Sequence, residues 1–211
     1  MTSFSLVQCL SSLRPRKGQR IGLLGGSFNP AHDGHVHISR MAARHLGLDA
    51  VWWLVSPQNP LKPVKGMAPL ADRLAAAHTR ARPAGGRIRV TAIEAALGTR
   101  YTVDTVKALK SHLPGVKFVW LMGADNLGQM AQWKDWQTLF RLVPIAVLPR
   151  PSYASRVLDS PAQRLFAASR LKAKASVRKL ADKKPPAWAL VAMRMHGASS
   201  TSIRTGTKKT T

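Results

Sequence analysis

The chain has 211 residues, 45% of them apolar, which predicts a single domain with a buried core. Its 33 Lys and Arg residues against 9 Asp and Glu residues give a net charge of +24, so its field favours polyanionic or phosphorylated partners without choosing between nucleic acid and small substrates. The lack of any apolar run of roughly 18 residues excludes a transmembrane helix, and the single cysteine, Cys9, excludes an internal disulfide and favours a cytoplasmic location.

The N-terminal segment, residues 1–19, contains no acidic residue and several Ser and Arg residues. Pro15 and Gly18 disfavour an amphipathic helix here, so we expect a flexible extension rather than a targeting peptide. The apolar run that follows, residues 20–24, predicts a buried strand, and the two glycines directly after it predict a tight turn.

A strand, a glycine turn and the start of a helix follow one another in residues 20–35, an order that is typical of phosphate-binding sites. His32 and His35 add two rings whose nitrogens can donate hydrogen bonds to phosphate oxygens. The glycine spacing matches neither the dinucleotide fingerprint nor a Walker loop. Two alternatives stay open, which are a turn without function and a metal site that also uses His37 and Asp33.

Strands and helices alternate along the rest of the chain. The predicted helices are residues 34–47, 70–81 and 101–112, and the later predicted strands are residues 51–55, 87–93, 116–122, 143–148 and 188–193. A loop rich in Pro and Lys, residues 58–67, separates the second strand from the second helix. This alternation predicts an α/β fold, with a parallel sheet and helices on both of its faces.

Residues 150–184 differ from the rest because they carry ten Lys or Arg residues and only two acidic residues. Ser160 and Pro161 are typical of the N-cap and the first position of a helix, so we expect a basic helix on the surface. Residues 206–211 are polar and predict a disordered tail.

A second candidate phosphate site, residues 199–204, places Ser and Thr residues before Arg204. Hydroxyl side chains cap helix starts, whose N–H groups bind phosphate, and a guanidinium can stabilise charge on the phosphates. In the middle of the chain, Asp125 follows a predicted strand and can hold a ribose hydroxyl, although a turn explains it equally well. Trp133 or Trp136 can stack on a flat heteroaromatic ring, and for Trp136 a place in the core is favoured.

The His32-Asp33-Gly34-His35 segment resembles the HxGH signature of a nucleotidyltransferase superfamily, and residues 199–204 resemble its closing element. Together with residues 58–62, 101–105, 123–126 and 133–134, they resemble the nicotinate-nucleotide adenylyltransferase family over residues 20–204. The resemblance implies a Rossmann-like fold in one nucleotidyltransferase domain, residues 20–205. It also implies adenylyl transfer from ATP to nicotinate mononucleotide, giving nicotinate adenine dinucleotide and pyrophosphate in NAD biosynthesis.

The resemblance also implies roles for individual residues. The catalytic residues would be His32, His35 and Arg204. The ATP-binding set would be Gly25, Gly26, Ser27, Phe28, His32, His35, Gly123, Asp125, Ser200, Thr201, Ile203 and Arg204. The acceptor-binding set would be Asn59, Lys62, Thr102, Trp133 and Lys134, in which Trp133 stacks on the pyridine ring.

The implied reaction needs no general base, because the attacking phosphate oxygen of the acceptor is already ionised at pH 7. Positioning and charge stabilisation would supply the catalysis, and Mg²⁺ would arrive bound to ATP. The alternatives are another acceptor, either nicotinamide mononucleotide or phosphopantetheine, and, in a different class, a basic nucleic-acid-binding module. Residues 150–184 are more basic than the family pattern, and a homo-oligomer stays open.

Overall fold

A single sheet runs through the protein, whose computed structural model describes residues 4–58, 66–149 and 160–193. The strands in the described residues are β1 (Arg20–Gly26), β2 (Ala50–Val55), β3 (Ile88–Thr91), β4 (Lys117–Gly123), β5 (Ile145–Leu148), β6 (Arg170–Leu171) and β7 (Trp188–Leu190). They lie in the order β3-β2-β1-β4-β5-β7-β6, and all neighbours are parallel. The predicted parallel α/β sheet is confirmed.

Helices connect these strands and cover both faces of the sheet. The main ones are α1 (Leu6–Leu13), α2 (Asp33–Leu46), α3 (Leu70–Ala81), α4 (Ile93–Ala96), α5 (Thr102–His112), α6 (Ala124–Gln129) and α7 (Trp136–Leu142). Shorter helices or 3-10 turns are Arg82–Ala84, Met130–Gln132, Pro161–Leu165, Ala167–Ser169, Lys174–Arg178 and Leu180–Asp182. Within the described residues, no helix combines the length and the apolar composition that crossing a bilayer requires.

The core has one layer on each face of the sheet. On one face, Trp53 of β2 packs beneath α2, and its Nε1–H donates a hydrogen bond of 2.8 Å to the hydroxyl of Ser39. On the other face, Trp52 belongs to the layer that contains Val106 of α5 and Phe140 of α7. Every residue of β2 is buried, as expected for a parallel strand that is covered on both faces.

Residues 4–19, for which a flexible extension was expected, contain helix α1. Helix α1 ends at Leu13, and its C-cap residue Arg14 has a positive φ of 43°, so Pro15 and Gly18 follow the helix and do not interrupt it. Cys9 and Leu13 are buried in the same layer as Trp52. The Arg89 guanidinium of β3 donates to the carbonyl oxygens of Leu13 and Arg14, which anchors the end of α1.

The predicted basic helix forms at Pro161 but is short. Ser160 is the N-cap as predicted, and its Oγ accepts a hydrogen bond of 3.3 Å from the N–H of Gln163. The helix nevertheless ends at Leu165. Phe166 packs in one core layer and Val177 in the other, so the intervening chain must pass from one face of the sheet to the other, which one continuous helix cannot do.

Three smaller differences concern strand ends, and the predicted tail falls outside the description. The predicted strand 188–193 ends at Leu190. The predicted strand 87–93 stops at Thr91, because Ile93 begins helix α4. Strand β5 begins at Ile145 rather than at residue 143. The predicted tail, residues 206–211, lies outside the described residues.

Candidate active site

The centre of the sheet is the point at which the strand order reverses. From β1 the chain proceeds outward through β2 and β3, and β4 then returns to the other side of β1. In open parallel sheets, ligands bind beyond the carboxyl ends of the strands at such a reversal. The segment after β1 contains His32 and His35, and the segment after β4 contains Asp125, so two of the predicted sites lie at this place.

His32 and His35 form the start of helix α2. His32 is the N-cap and has an extended backbone, and its N–H donates a hydrogen bond of 3.2 Å to Nδ1 of His35. The N–H of His35 donates in turn to the carbonyl of His32 at 2.9 Å. The two ring centroids are 3.9 Å apart, so the predicted pair of imidazoles is adjacent in space as well as in sequence.

Aromatic side chains hold the ring of His35 in place. The Phe28 ring lies 4.8 Å from it and the Trp53 ring 5.8 Å, measured between centroids. Phe28 has a positive φ of 47°, which is uncommon outside glycine, and its ring stacks on Trp53 at 5.0 Å. These contacts favour one orientation of the His35 imidazole.

The hydrogen bond from His32 also selects the tautomer of His35. Because Nδ1 accepts a hydrogen bond from the backbone N–H of His32, a neutral His35 ring must carry its own proton on Nε2. Nε2 is then the donor that the ring can offer to an anion. The chemistry of the pair fits the donation to phosphate oxygens that the sequence suggested.

Gly25 has a packing role that sequence analysis missed. A Cβ at this position would lie 2.7 Å from the ring of Trp120, which is buried in the neighbouring strand β4. Trp120 also meets Trp133 edge to face, with centroids 6.4 Å apart. Trp120 thus connects strand β1 to the tryptophan predicted for the acceptor. Trp120 is one of several apolar residues in its strand, so the sequence pattern does not distinguish it as a contact of Gly25.

Three of the five predicted acceptor residues, Thr102, Trp133 and Lys134, lie near the start of α5. Thr102 is the first residue of that helix. The ammonium of Lys134 lies 4.7 Å from the ring centroid of Tyr101 and forms an ion pair of 3.1 Å with Asp104. Trp133 is half-buried and directly precedes Lys134. The structure therefore brings together segments 101–104 and 133–134, which are about thirty residues apart in the chain.

Gly123 and Asp125 lie at the carboxyl end of β4. Gly123 is the last residue of the strand and the N-cap of α6, with an extended backbone. Asp125 is in the first turn of that helix and is half-buried. Asp125 is thus placed at the edge of the sheet that also holds His32 and His35.

Two buried charged residues at this edge were not singled out from the sequence. Arg73 of α3 is 3% exposed and donates hydrogen bonds to backbone carbonyls, including that of Ser27. A signal for it existed, because Arg73 lies at helical spacing among the apolar residues of α3. Burial of Glu94 in α4 raises the pKa of its carboxyl to about 7, and a hydrogen bond with the Ser56 hydroxyl partly opposes this rise. We find no sequence signal for Glu94.

The arrangement of carboxylates bears on the alternative of a metal site. Asp33 is exposed and forms an ion pair of 2.9 Å with Arg80. In the part of the chain that the structure describes, no three His, Cys, Asp or Glu side chains cluster in a way that could hold a metal ion.

Several predicted site residues lie outside the described residues, so the structure places none of them. In the predicted ATP set and acceptor set these are Asn59, Lys62, Ser200, Thr201, Ile203 and Arg204.

Comparison with known proteins agrees with this geometry. The model of the cytidylyltransferase-like family matches residues 23–206. A probable nicotinate-nucleotide adenylyltransferase of Cereibacter sphaeroides is 52% identical over 184 residues, which cover 87% of this chain and 96% of that protein. The protein of the same name from Parvibaculum lavamentivorans is 59% identical over 145 residues, which cover 69% of this chain and 71% of that protein.

Solved structures support the fold. The nicotinic acid mononucleotide adenylyltransferase of Plasmodium falciparum, complexed with NaAD, superposes with a TM-score of 0.64 and 17% identity, covering 89% of this chain and 83% of that one. The same enzyme complexed with APC gives a TM-score of 0.63 and 16% identity, with the same coverage. The match of the family model and the identity to near-full-length relatives agree, and the chain belongs to the cytidylyltransferase-like family, in the group of the nicotinate-nucleotide adenylyltransferases.

Proposed function

We propose that this protein transfers the adenylyl group of ATP to nicotinate mononucleotide, giving nicotinate adenine dinucleotide and pyrophosphate. The observation that carries the proposal is the 52% identity to a probable nicotinate-nucleotide adenylyltransferase over 96% of that relative's length. The placement of His32 and His35 where the strand order reverses supports it independently, because that position suits a polyphosphate.

The reaction is a substitution at the α-phosphorus of ATP. A phosphate oxygen of nicotinate mononucleotide forms the new P–O bond, and the bond from the α-phosphorus to the oxygen that bridges the α- and β-phosphates breaks. Pyrophosphate leaves with that oxygen. Because the attacking oxygen is already ionised, the protein's task is to position both substrates and to stabilise charge in the transition state.

His35 is proposed as a donor to the triphosphate. Its ring is held by Phe28 and Trp53, and its Nδ1 accepts a hydrogen bond from the N–H of His32, so Nε2 is the nitrogen proposed to donate to a phosphate oxygen. His32 is proposed to act beside it, since the two rings are adjacent. Because of the family resemblance, Lys62 and Arg204 are proposed to neutralise negative charge on the phosphates.

The acceptor is proposed to bind between Trp133 and the start of α5. Trp133 is half-buried, so part of its ring is accessible for stacking on a pyridine ring. The first N–H groups of α5, beginning at Thr102, suit the carboxylate of nicotinate. Lys134 adds a positive charge there, although its ion pair with Asp104 offsets part of it.

Magnesium is proposed to enter as the Mg–ATP substrate. Only nine acidic residues occur in the chain, and two of those near the site, Asp33 and Asp104, are engaged with Arg80 and Lys134. Mg²⁺ commonly binds through substrate phosphates and water rather than through a cage of protein ligands.

The test is release of pyrophosphate from ATP and Mg²⁺ with nicotinate mononucleotide, nicotinamide mononucleotide and phosphopantetheine in parallel. We expect kcat/KM for the acid to exceed that for the amide by at least about tenfold, because an amide would direct an NH₂ at N–H donors and such a mismatch costs roughly 1–3 kcal/mol. Equal values would remove the selectivity but keep the enzyme class. Activity with phosphopantetheine alone would overturn the proposed function.

A further inference from the structure

We propose that Arg73 is a positioning residue for adenylyl transfer, which holds the start of the loop after β1, at Ser27, and the described ends of the loop after β2, residues 56–58 and 66–69, in one fixed arrangement. The proposal rests on the proposed function for its effect on activity. Arg73 belongs to helix α3 and acts through backbone carbonyls of the two loops.

The guanidinium of Arg73 donates four hydrogen bonds, and each of them goes to a backbone carbonyl. One Nη1–H bond of 2.7 Å goes to Ser27, directly after β1, and another of 2.7 Å goes to Ser56, directly after β2. Nη2 donates to Pro57 at 2.9 Å, and Nε donates to Ala68 at 2.8 Å. A guanidinium has five N–H groups in a planar fork, so four of them fix three separate chain segments relative to one another.

The charge of Arg73 is compensated in an unusual way. In the described residues, every ion pair is formed by a cation other than Arg73, so no carboxylate there neutralises the Arg73 guanidinium. Burial lowers the pKa of its guanidinium, but arginine stays protonated in proteins. The carbonyl dipoles therefore solvate a buried cation, and they can do so only while the loops keep this conformation.

A second set of hydrogen bonds joins the same segments. The side chain of Asn29 donates 2.9 Å to the carbonyl of Gly66 and accepts from the N–H of Ala68 at 3.4 Å. The N–H of Ser56 donates 2.9 Å to the carbonyl of Gly26. The start of the loop after β1 and the described ends of the loop after β2 thus form one hydrogen-bonded unit, and Arg73 supplies four of its connections.

This unit lies next to the histidine pair. Ser27 precedes Phe28, whose ring contacts His35, and the chain then reaches His32. A misplacement of about 1 Å in a catalytic group can reduce a rate by roughly a hundredfold. Loss of the Arg73 fork should therefore lower activity even when the fold persists. Lysine keeps the charge, but its single ammonium cannot reach four carbonyls in the geometry of a fork.

The experiment compares Arg73→Lys with Leu74→Ala and Arg82→Lys. Leu74 is the buried neighbour of Arg73 on α3 and reports general loss of packing, and Arg82 is exposed and reports the exchange of arginine for lysine on the surface. Each variant is measured for kcat and KM with ATP and nicotinate mononucleotide, well below its melting temperature. Amide hydrogen exchange is followed in peptides that cover residues 27–29 and 56–58. Arg73→Gln is a second variant, which removes the charge as well.

We expect Arg73→Lys to lower kcat by at least about tenfold and to speed exchange selectively in those two peptides. We expect Leu74→Ala to lower stability while keeping kcat within about threefold of the wild type. An Arg73→Lys enzyme with near-normal kcat would overturn the proposal. So would faster exchange spread over the whole chain, as a purely structural role predicts. If the wild type fails with every acceptor, the proposed function fails, and selective exchange alone then decides whether Arg73 holds the loops.

Discussion

Nδ1 of His35 accepts a hydrogen bond from the backbone N–H of His32, and this contact determines which nitrogen of His35 can act on a substrate. Side-chain amides can test that assignment, because the amide nitrogen of glutamine approximates the position of Nε2 and that of asparagine approximates Nδ1. We expect His35→Ala to lower kcat by at least about a hundredfold, since loss of a transition-state donor typically costs about 2.7–4 kcal/mol.

We expect His35→Gln to retain more activity than His35→Asn, measured as kcat with saturating ATP and acceptor. Circular dichroism and melting temperature serve as controls that each variant is folded. If the asparagine variant is the better enzyme, Nδ1 rather than Nε2 is the working nitrogen. A folded alanine variant with near-normal turnover would falsify the phosphate-binding role of His35.

Substitution of Gly25 tests the contact with Trp120. A Cβ on Gly25 would lie 2.7 Å from a buried ring, so Gly25→Ala should lower the free energy of unfolding by about 1–3 kcal/mol. The matched control is Gly128→Ala in α6, where a new Cβ meets nothing within 4 Å and should stabilise by about 0.5–1 kcal/mol. Urea unfolding measures both. Trp120→Phe in the Gly25→Ala background should recover part of the loss, and no recovery would mean that the ring is not what the alanine meets.

Glu94 predicts a pH dependence of stability. Burial raises the pKa of its carboxyl from 4.5 to about 7, so the folded state binds the proton more tightly than the unfolded state does. The stabilisation is complete below pH 4.5 and is lost as the pH rises to about 7. The Glu94→Gln variant has no titrating group at this position. The free energy of unfolding of the wild type should therefore fall by roughly 3 kcal/mol relative to this variant between pH 4 and pH 8. Parallel stability curves of the two proteins across that range would contradict the raised pKa.

Helix α1 predicts that the N-terminal segment contributes to stability. Leu13 is fully buried, whereas Val7 on the same helix is 73% exposed. Leu13→Ala should lower the free energy of unfolding by about 2–5 kcal/mol, and Val7→Ala should change it by no more than about 0.5 kcal/mol. Chemical denaturation of the two variants checks this, and equal small effects would indicate that α1 is not packed in solution.

Local patterns were sufficient to predict much of the fold. The apolar run before Gly25 and the spacing of residues 70–81 predicted β1 and α3 close to their observed bounds. The segment around His32 and His35 indicated a phosphate site because its glycines, helix start and imidazoles lie close together in the chain. The reversal of strand order then brought Asp125 to the same edge of the sheet.

Features that depend on distant parts of the chain could not be predicted in this way. Helix α1 packs in the core layer that contains Trp52. Residues 1–19 alone do not show that this face of the sheet has room for a helix. The approach of Trp120 to Gly25 depends on how two strands lie relative to each other. Arg73 is a different case, because the sequence already places it on the apolar face of α3. A buried guanidinium needs hydrogen-bond acceptors, so its contacts with backbone carbonyls could have been predicted.

The distribution of the six tryptophans has an optical consequence. Trp133 and Trp136 are half-buried, whereas the other four are fully buried. An aqueous quencher such as iodide should therefore reach the fluorescence of these two residues alone. In a Trp136→Phe variant, the quenchable emission would come from Trp133. An acceptor ring stacked on Trp133 would shield it, so the unlabelled protein would report occupancy of its own acceptor site.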